Sequence, residues 1–244
     1  MWTVAAAMVW GAAAGWLIRP AAYRMSVPAG TEWHRHCPDG HPLPGGARGW
    51  LTAPPCPCRP RTHSTPLSHT ALPAATALIC GLLAAATQPH PELLAQLLLA
   101  PIAVLLAVID ARVHRLPDVL TLPLAAAAPA LLGAVSLLPG EGGSWTGSVV
   151  GGPGLAAVFF LMFLASPKAM GFGDVKLALT VGAVLGWYGW RALVLGVFAG
   201  YLIAGVHGIT LLARRKATGT TALPFGPPLL LGTLVGLTLG GVLA

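Results

Sequence analysis

Charge is scarce along this chain, and the scarcity comes in long uninterrupted runs. Eight apolar stretches follow one another, roughly 2–18, 70–87, 93–109, 119–138, 146–166, 175–188, 192–213 and 226–244. Each approaches the about 20 mostly apolar residues that a helix needs to cross a bilayer. Over the 244 residues, 9% are charged, 55% are apolar and the mean hydropathy is +0.75. A soluble domain carries about 25% charged residues. A chain with so few cannot cover a water-soluble globule, so a soluble enzyme is excluded, as is a disordered or nucleic-acid-coating protein. The expected fold is all-α and polytopic, with about eight transmembrane helices.

The basic residues orient that bundle. Of the 14 lysines and arginines, Arg191 alone falls in an even-numbered connection. The others, Arg19 to Arg61, Arg112, Arg115, Lys168, Lys176 and Arg214 to Lys216, fall in odd-numbered ones. The positive-inside rule then places the odd connections in the cytosol and both termini outside. The first stretch has no Lys or Arg before it and Arg19 after it, so it reads as a span rather than a secretory signal. The connection 19–68 holds 10 of the 23 prolines and little apolar periodicity. It reads as an extended or turn-rich cytosolic loop. The four cysteines, Cys80 inside an apolar run, form no disulfide framework.

Acids in or beside a span are costly and mark candidate sites. Of the seven, Glu32, Asp39 and Glu141 belong to solvated connections, and Glu92, opening the third stretch on the outer side, reads as interfacial. Asp110, Asp118 and Asp174 remain, and hydropathy with charge bias puts all three on one membrane face. Asp118 follows Pro117 and opens an apolar helix, which fits an N-cap or an ion pair with a nearby Arg. Lys176 reads as an orienting charge rather than as a partner for Asp174. Two carboxyl groups brought together can share one proton. One then activates a water while the other donates to a carbonyl oxygen, as in aspartic proteases. The segment Gly171-Phe172-Gly173-Asp174 adds flexible backbone beside one such acid, where a substrate main chain can approach and hydrogen-bond.

The segments 108–123 (with Asp110 and Leu116-Pro117-Asp118), 170–177 (Met170-Gly171-Phe172-Gly173-Asp174) and 223–227 (Leu223-Pro224-Phe225-Gly226-Pro227) together resemble the bacterial type IV prepilin peptidases. These are membrane aspartyl proteases with a Gly-x-Gly-Asp motif. Gly15 through Tyr23-Arg24 is similar to the family's first-span exit, with Arg19 where an asparagine is usual. The resemblance implies cleavage of the basic leader of prepilins and pseudopilins at the cytosolic face of the bacterial inner membrane. It implies Asp110 and Asp174 as the catalytic pair and Asp118 as a non-catalytic member of the motif. Gly171, Phe172 and Gly173 are the candidate substrate-binding residues. It divides the chain into 1–68, a first span with its cytosolic loop, and 69–244, the catalytic core.

Many members also methylate the new amino terminus with S-adenosylmethionine. Longer members carry two Cys-x-x-Cys pairs in the first loop. Here that loop has Cys37 and Cys56-Pro57-Cys58, with His41 as a conceivable fourth ligand. Cys-x-Cys does not reproduce the spacing of a tetrahedral structural site, so zinc is not expected, and methyl transfer is not required for cleavage. A transporter or channel using membrane-edge carboxylates is the alternative, and an inactive assembly protein is a third reading.

Overall fold

The computed structural model describes residues 1–37, 40–51, 70–87, 90–167, 170–214 and 223–243. The described elements are α1 (Trp2–Leu17), α2 (Arg19–Met25), α3 (Gly46–Leu51), α4 (Ala71–Thr87), α5 (Glu92–Val113), α6 (Asp118–Val135), α7 (Trp145–Ala165), α8 (Phe172–Trp187), α9 (Trp190–Ala213) and α10 (Gly226–Leu243). All eight apolar stretches are thus helical, and no strand occurs among the described residues. Four helices, α5, α6, α7 and α9, are long and apolar enough to cross a membrane, or five if the bent pair α1–α2 counts as one span. The protein is a multi-pass, all-α membrane protein.

Local chemistry sets the helix ends. His114 closes α5 in a left-handed conformation, its N–H reaching back to the Asp110 carbonyl. Pro117, extended, then opens α6. Histidine tolerates that conformation better than most residues. At the far end, Gly189, with φ 93°, lets α8 turn directly into α9.

The core is organised around α8, which is buried over most of its 16 residues. On one side α7 packs so closely that a Cβ added to Gly151 would lie 2.5 Å from the Gly182 carbonyl oxygen. Such backbone contact is how membrane helices associate without a hydrophobic driving force. The pair α9–α10 meets in the same way through Gly196, Gly200, Gly232 and Gly236. The helix α1 rests on α4, where Gly11 faces the Thr76 backbone.

Two expectations are corrected here. The first loop is not simply extended: α2 and α3 form in it, and Ala22 and Met25 of α2 pack with Leu72, Val104, Leu105 and Ile109, with Trp33 and Trp50 against them. Proline at the first turn of α2 suits helix initiation, which a high proline count conceals. Glu92 opens α5 as expected, but it is 1% exposed rather than solvated. The loop after α6 folds over it, and the Gly142 N–H donates to its Oε2 at 3.4 Å. Beside it, Thr87 donates to Gln96 and Gln96 donates to the Tyr188 hydroxyl, at 2.9 and 2.7 Å.

Candidate active site

Asp110 and Asp174 lie at the same end of the bundle, 5% and 8% exposed, and each is within electrostatic reach of the other. Asp110 stands on the last turn of α5, and Asp174 on the first turn of α8, behind the extended Gly171. The sequence separates them by 64 positions, and the packing of α5, α6, α8 and α10 reunites them.

A third segment completes the site. The N–H of Gly226, the first residue of α10, donates to Asp110 Oδ2 at 2.9 Å. A helix N-terminus carries unpaired N–H groups and a partial positive charge, which suits an acid. Only glycine allows this approach, because a Cβ at position 226 would lie 2.8 Å from the same oxygen. Hydropathy marks the Pro224-Phe225-Gly226-Pro227 segment as a helix start. It carries no signal for a bond to an acid 116 residues earlier.

Asp118 and Lys176 form a second clasp. Lys176 Nζ donates to Asp118 Oδ1 at 2.6 Å, tying the start of α6 to the start of α8. The lysine therefore does more than orient a span, and the partner of Asp118 is this lysine rather than an arginine. Pro117, not Asp118, occupies the N-cap of α6.

The expectation of unusual backbone freedom at the two motif glycines is corrected. Neither Gly171 nor Gly173 has positive φ, so neither provides a conformation closed to other residues. Gly173 is needed for space: a Cβ there would sit 3.0 Å from the Leu116 Cβ, in the segment that leads to Asp118. Gly171 is less crowded, its added Cβ meeting Asp174 Oδ2 only at 3.4 Å. Phe172 is 47% exposed, with Phe163 and Phe160 at ring distances of 5.5 and 6.5 Å and the Lys176 ammonium 4.9 Å from its ring. A residue not singled out in the sequence is Tyr201 of α9. It is within electrostatic reach of Asp174, its ring lies 4.9 Å from that of Phe225 at a tilt of 44°, and Phe159 joins both rings.

Among the described residues no group of three His, Cys, Asp or Glu side chains could hold a metal ion. Cys37 Sγ and His41 Nδ1 approach to 3.5 Å. Cys56 and Cys58 lie outside the described residues.

A model of the type IV leader peptidase family matches residues 97–209. The leader peptidase HopD of Salmonella typhimurium is 37% identical over 132 residues, which are 52% of this chain and 81% of that protein. This chain belongs to the type IV leader peptidase family. The matched segment of the family model contains both Asp110 and Asp174. The prepilin leader peptidase/N-methyltransferase of Pseudomonas aeruginosa is 35% identical over 140 residues, covering 55% of this chain and 46% of that protein. Its namesake in Dickeya chrysanthemi is 39% identical over 167 residues, covering 66% and 55%. The chain thus spans about half the length of these longer leader peptidases. No solved structure matches it.

Proposed function

We propose that this protein is an intramembrane aspartic endopeptidase that removes the basic leader of prepilin-like proteins at the cytosolic face of the bacterial inner membrane. The observation that carries the reading is that Asp110 and Asp174, on separate helices, lie buried within electrostatic reach of each other at one end of the bundle, with the Gly226 N–H bonded to Asp110. One carboxylate takes a proton from water as the water attacks the scissile carbonyl, and the other, protonated, donates to the developing oxyanion. The proton taken from water then passes to the leaving nitrogen as the C–N bond breaks, and a hydroxyl of the tetrahedral diol returns its proton to the second carboxylate. No covalent enzyme intermediate is formed. The substrate's apolar helix lies in the bilayer against the exposed aromatic face around Phe172, and its leader extends into the cytosol. The family membership and the relatives' names support this substrate class, and the excess of basic residues at the Asp end supports the cytosolic orientation.

The test is co-expression with a prepilin, following leader removal by mass. Asp110→Asn and Asp174→Asn are each expected to abolish processing while accumulating like the wild type. Normal processing by either variant would overturn the two-carboxylate mechanism. The relatives in Pseudomonas aeruginosa and Dickeya chrysanthemi are also named N-methyltransferases. In the same assay, a product heavier by one methyl group would show whether this chain shares that activity.

A further inference from the structure

Arg24 of α2, Trp50 of α3 and residues 31–36, 42, 43 and 45 line an open pocket of about 690 Å³. That is within the size range of small-molecule sites. Arg24 of α2 lines it and is 7% exposed. Its guanidinium donates to the Pro44 carbonyl at 2.6 Å and lies 5.0 Å from the Trp50 ring. Among the described residues no carboxylate pairs with it. A guanidinium has five N–H donors, and a buried charge without a counter-ion is costly. Glu32 also lines the cavity, but its carboxylate is 3.1 Å from Arg35, and both of these side chains are exposed. His34 adds a further basic group, and Trp33 and Trp50, edge to face at 5.2 Å, supply an apolar wall.

We propose that this cavity binds a phosphate group through Arg24, and that the phosphate is the headgroup phosphodiester of an anionic membrane lipid. Depth supports the lipid. The helix α2 begins at Arg19, where the chain bends 41° away from the apolar α1. Arg24 is seven residues past Leu17, about 10 Å of helix beyond the end of that apolar segment, and a headgroup layer begins where an apolar span ends. Trp16, exposed and 3.8 Å under the Arg19 guanidinium, sits where interfacial aromatics gather. A planar guanidinium fork matches phosphate oxygens in pairs, and the indole wall accommodates the glycerol and upper acyl carbons. The site is separate from Asp110 and Asp174 and does not depend on the peptidase reading.

The experiment uses the full chain, purified and delipidated in a neutral detergent, with dioleoyl phosphatidylglycerol and dioleoyl phosphatidylcholine as probes. Bound lipid is counted by native mass spectrometry. The expected result is at least tenfold tighter binding of phosphatidylglycerol by the wild type, lost in Arg24→Gln. Arg191→Gln, which removes the same charge at the opposite end, is expected to keep it. Arg24→Lys retains the charge and loses the fork, so it should fall several-fold, and it stands in if Arg24→Gln does not fold. A folded Arg24→Gln with wild-type preference, an equal loss in Arg191→Gln, wild-type binding by Arg24→Lys, or no preference in the wild type would each overturn the proposal. In a second arm, glycerol 3-phosphate without lipid is added at millimolar concentration. Failure to bind supports the lipid, whereas Arg24-dependent binding overturns it in favour of a soluble phosphate.

Discussion

At position 226 the backbone itself is the working part. The Gly226 N–H bonds Asp110 Oδ2 at 2.9 Å, and a methyl group there would lie 2.8 Å from that oxygen. Gly226→Ala must therefore push α10 away from the acid or turn the carboxylate aside. A hydrogen bond to a charged group contributes about 1.5–3 kcal/mol. If Asp110 reacts as proposed, loss of this bond predicts a fall in kcat of roughly tenfold to a hundredfold, with normal accumulation in the membrane. Cleavage kinetics normalised to the amount of folded protein check this, and a wild-type kcat would remove Gly226 from the site. Phe172 predicts the opposite kinetic pattern. Its ring is half-exposed and backed by Phe160 and Phe163, and under the proposed function it is area for a substrate helix. Phe172→Ala is expected to raise KM several-fold and leave kcat within about twofold, because uniform binding is what such a contact supplies. A collapse of kcat instead would mean that Phe172 holds Asp174 in place.

Between elements, two kinds of contact hold the acids together, and they differ in strength. The seam of α7 against α8 is backbone on backbone, so it has no flexible side chain to yield. Gly151→Ala brings a methyl 2.5 Å from the Gly182 carbonyl oxygen and 3.0 Å from the Gly186 Cα. Overpacking of this kind costs about 1–3 kcal/mol. A lower midpoint of thermal unfolding in detergent is expected, and an unchanged midpoint would show that the seam can open freely. The Asp118–Lys176 clasp is short but has an exposed carboxylate, and exposed pairs contribute about 1 kcal/mol or less. A double-mutant cycle with Asp118→Asn and Lys176→Met should give a coupling no larger than that. The hydropathy of the chain made every one of these helices legible. It did not show which faces meet, because glycines pack by what they lack and leave no periodic signal. The short α2 and the burial of Glu92 were hidden for related reasons: proline content masks a seven-residue helix, and a loop folding back over an acid has no local pattern.

At the scale of the whole molecule, two ends with different chemistry emerge from the bundle. One gathers Asp110, Asp118, Asp174 and the basic residues Arg19, Arg24, Arg112, Arg115, Lys176 and Arg214. Arg112 and Arg115 there reach Ser26 and the Pro28 carbonyl of the chain after α2. The other holds Glu92, Tyr188 and Arg191, with His90 bonded to the Gly140 carbonyl. That Asp110 and Asp174 share an end could be read from the sequence, since the alternation of apolar runs counts membrane crossings and the basic residues mark their sign. Their mutual approach could not, because it depends on how α8 is enclosed by its neighbours. The orientation makes a prediction that neither catalysis nor stability measures. With Cys37, Cys56, Cys58 and Cys80 replaced by serine, Glu141→Cys and Ser166→Cys place single thiols at exposed positions on the two ends. In spheroplasts, a membrane-impermeant maleimide should label the thiol at 141 at once and the thiol at 166 only after lysis. The reverse order would turn the acids outward, away from any leader held in the cytosol. Labelling of both from outside would mean that the helices between them do not span the bilayer as a bundle with two faces.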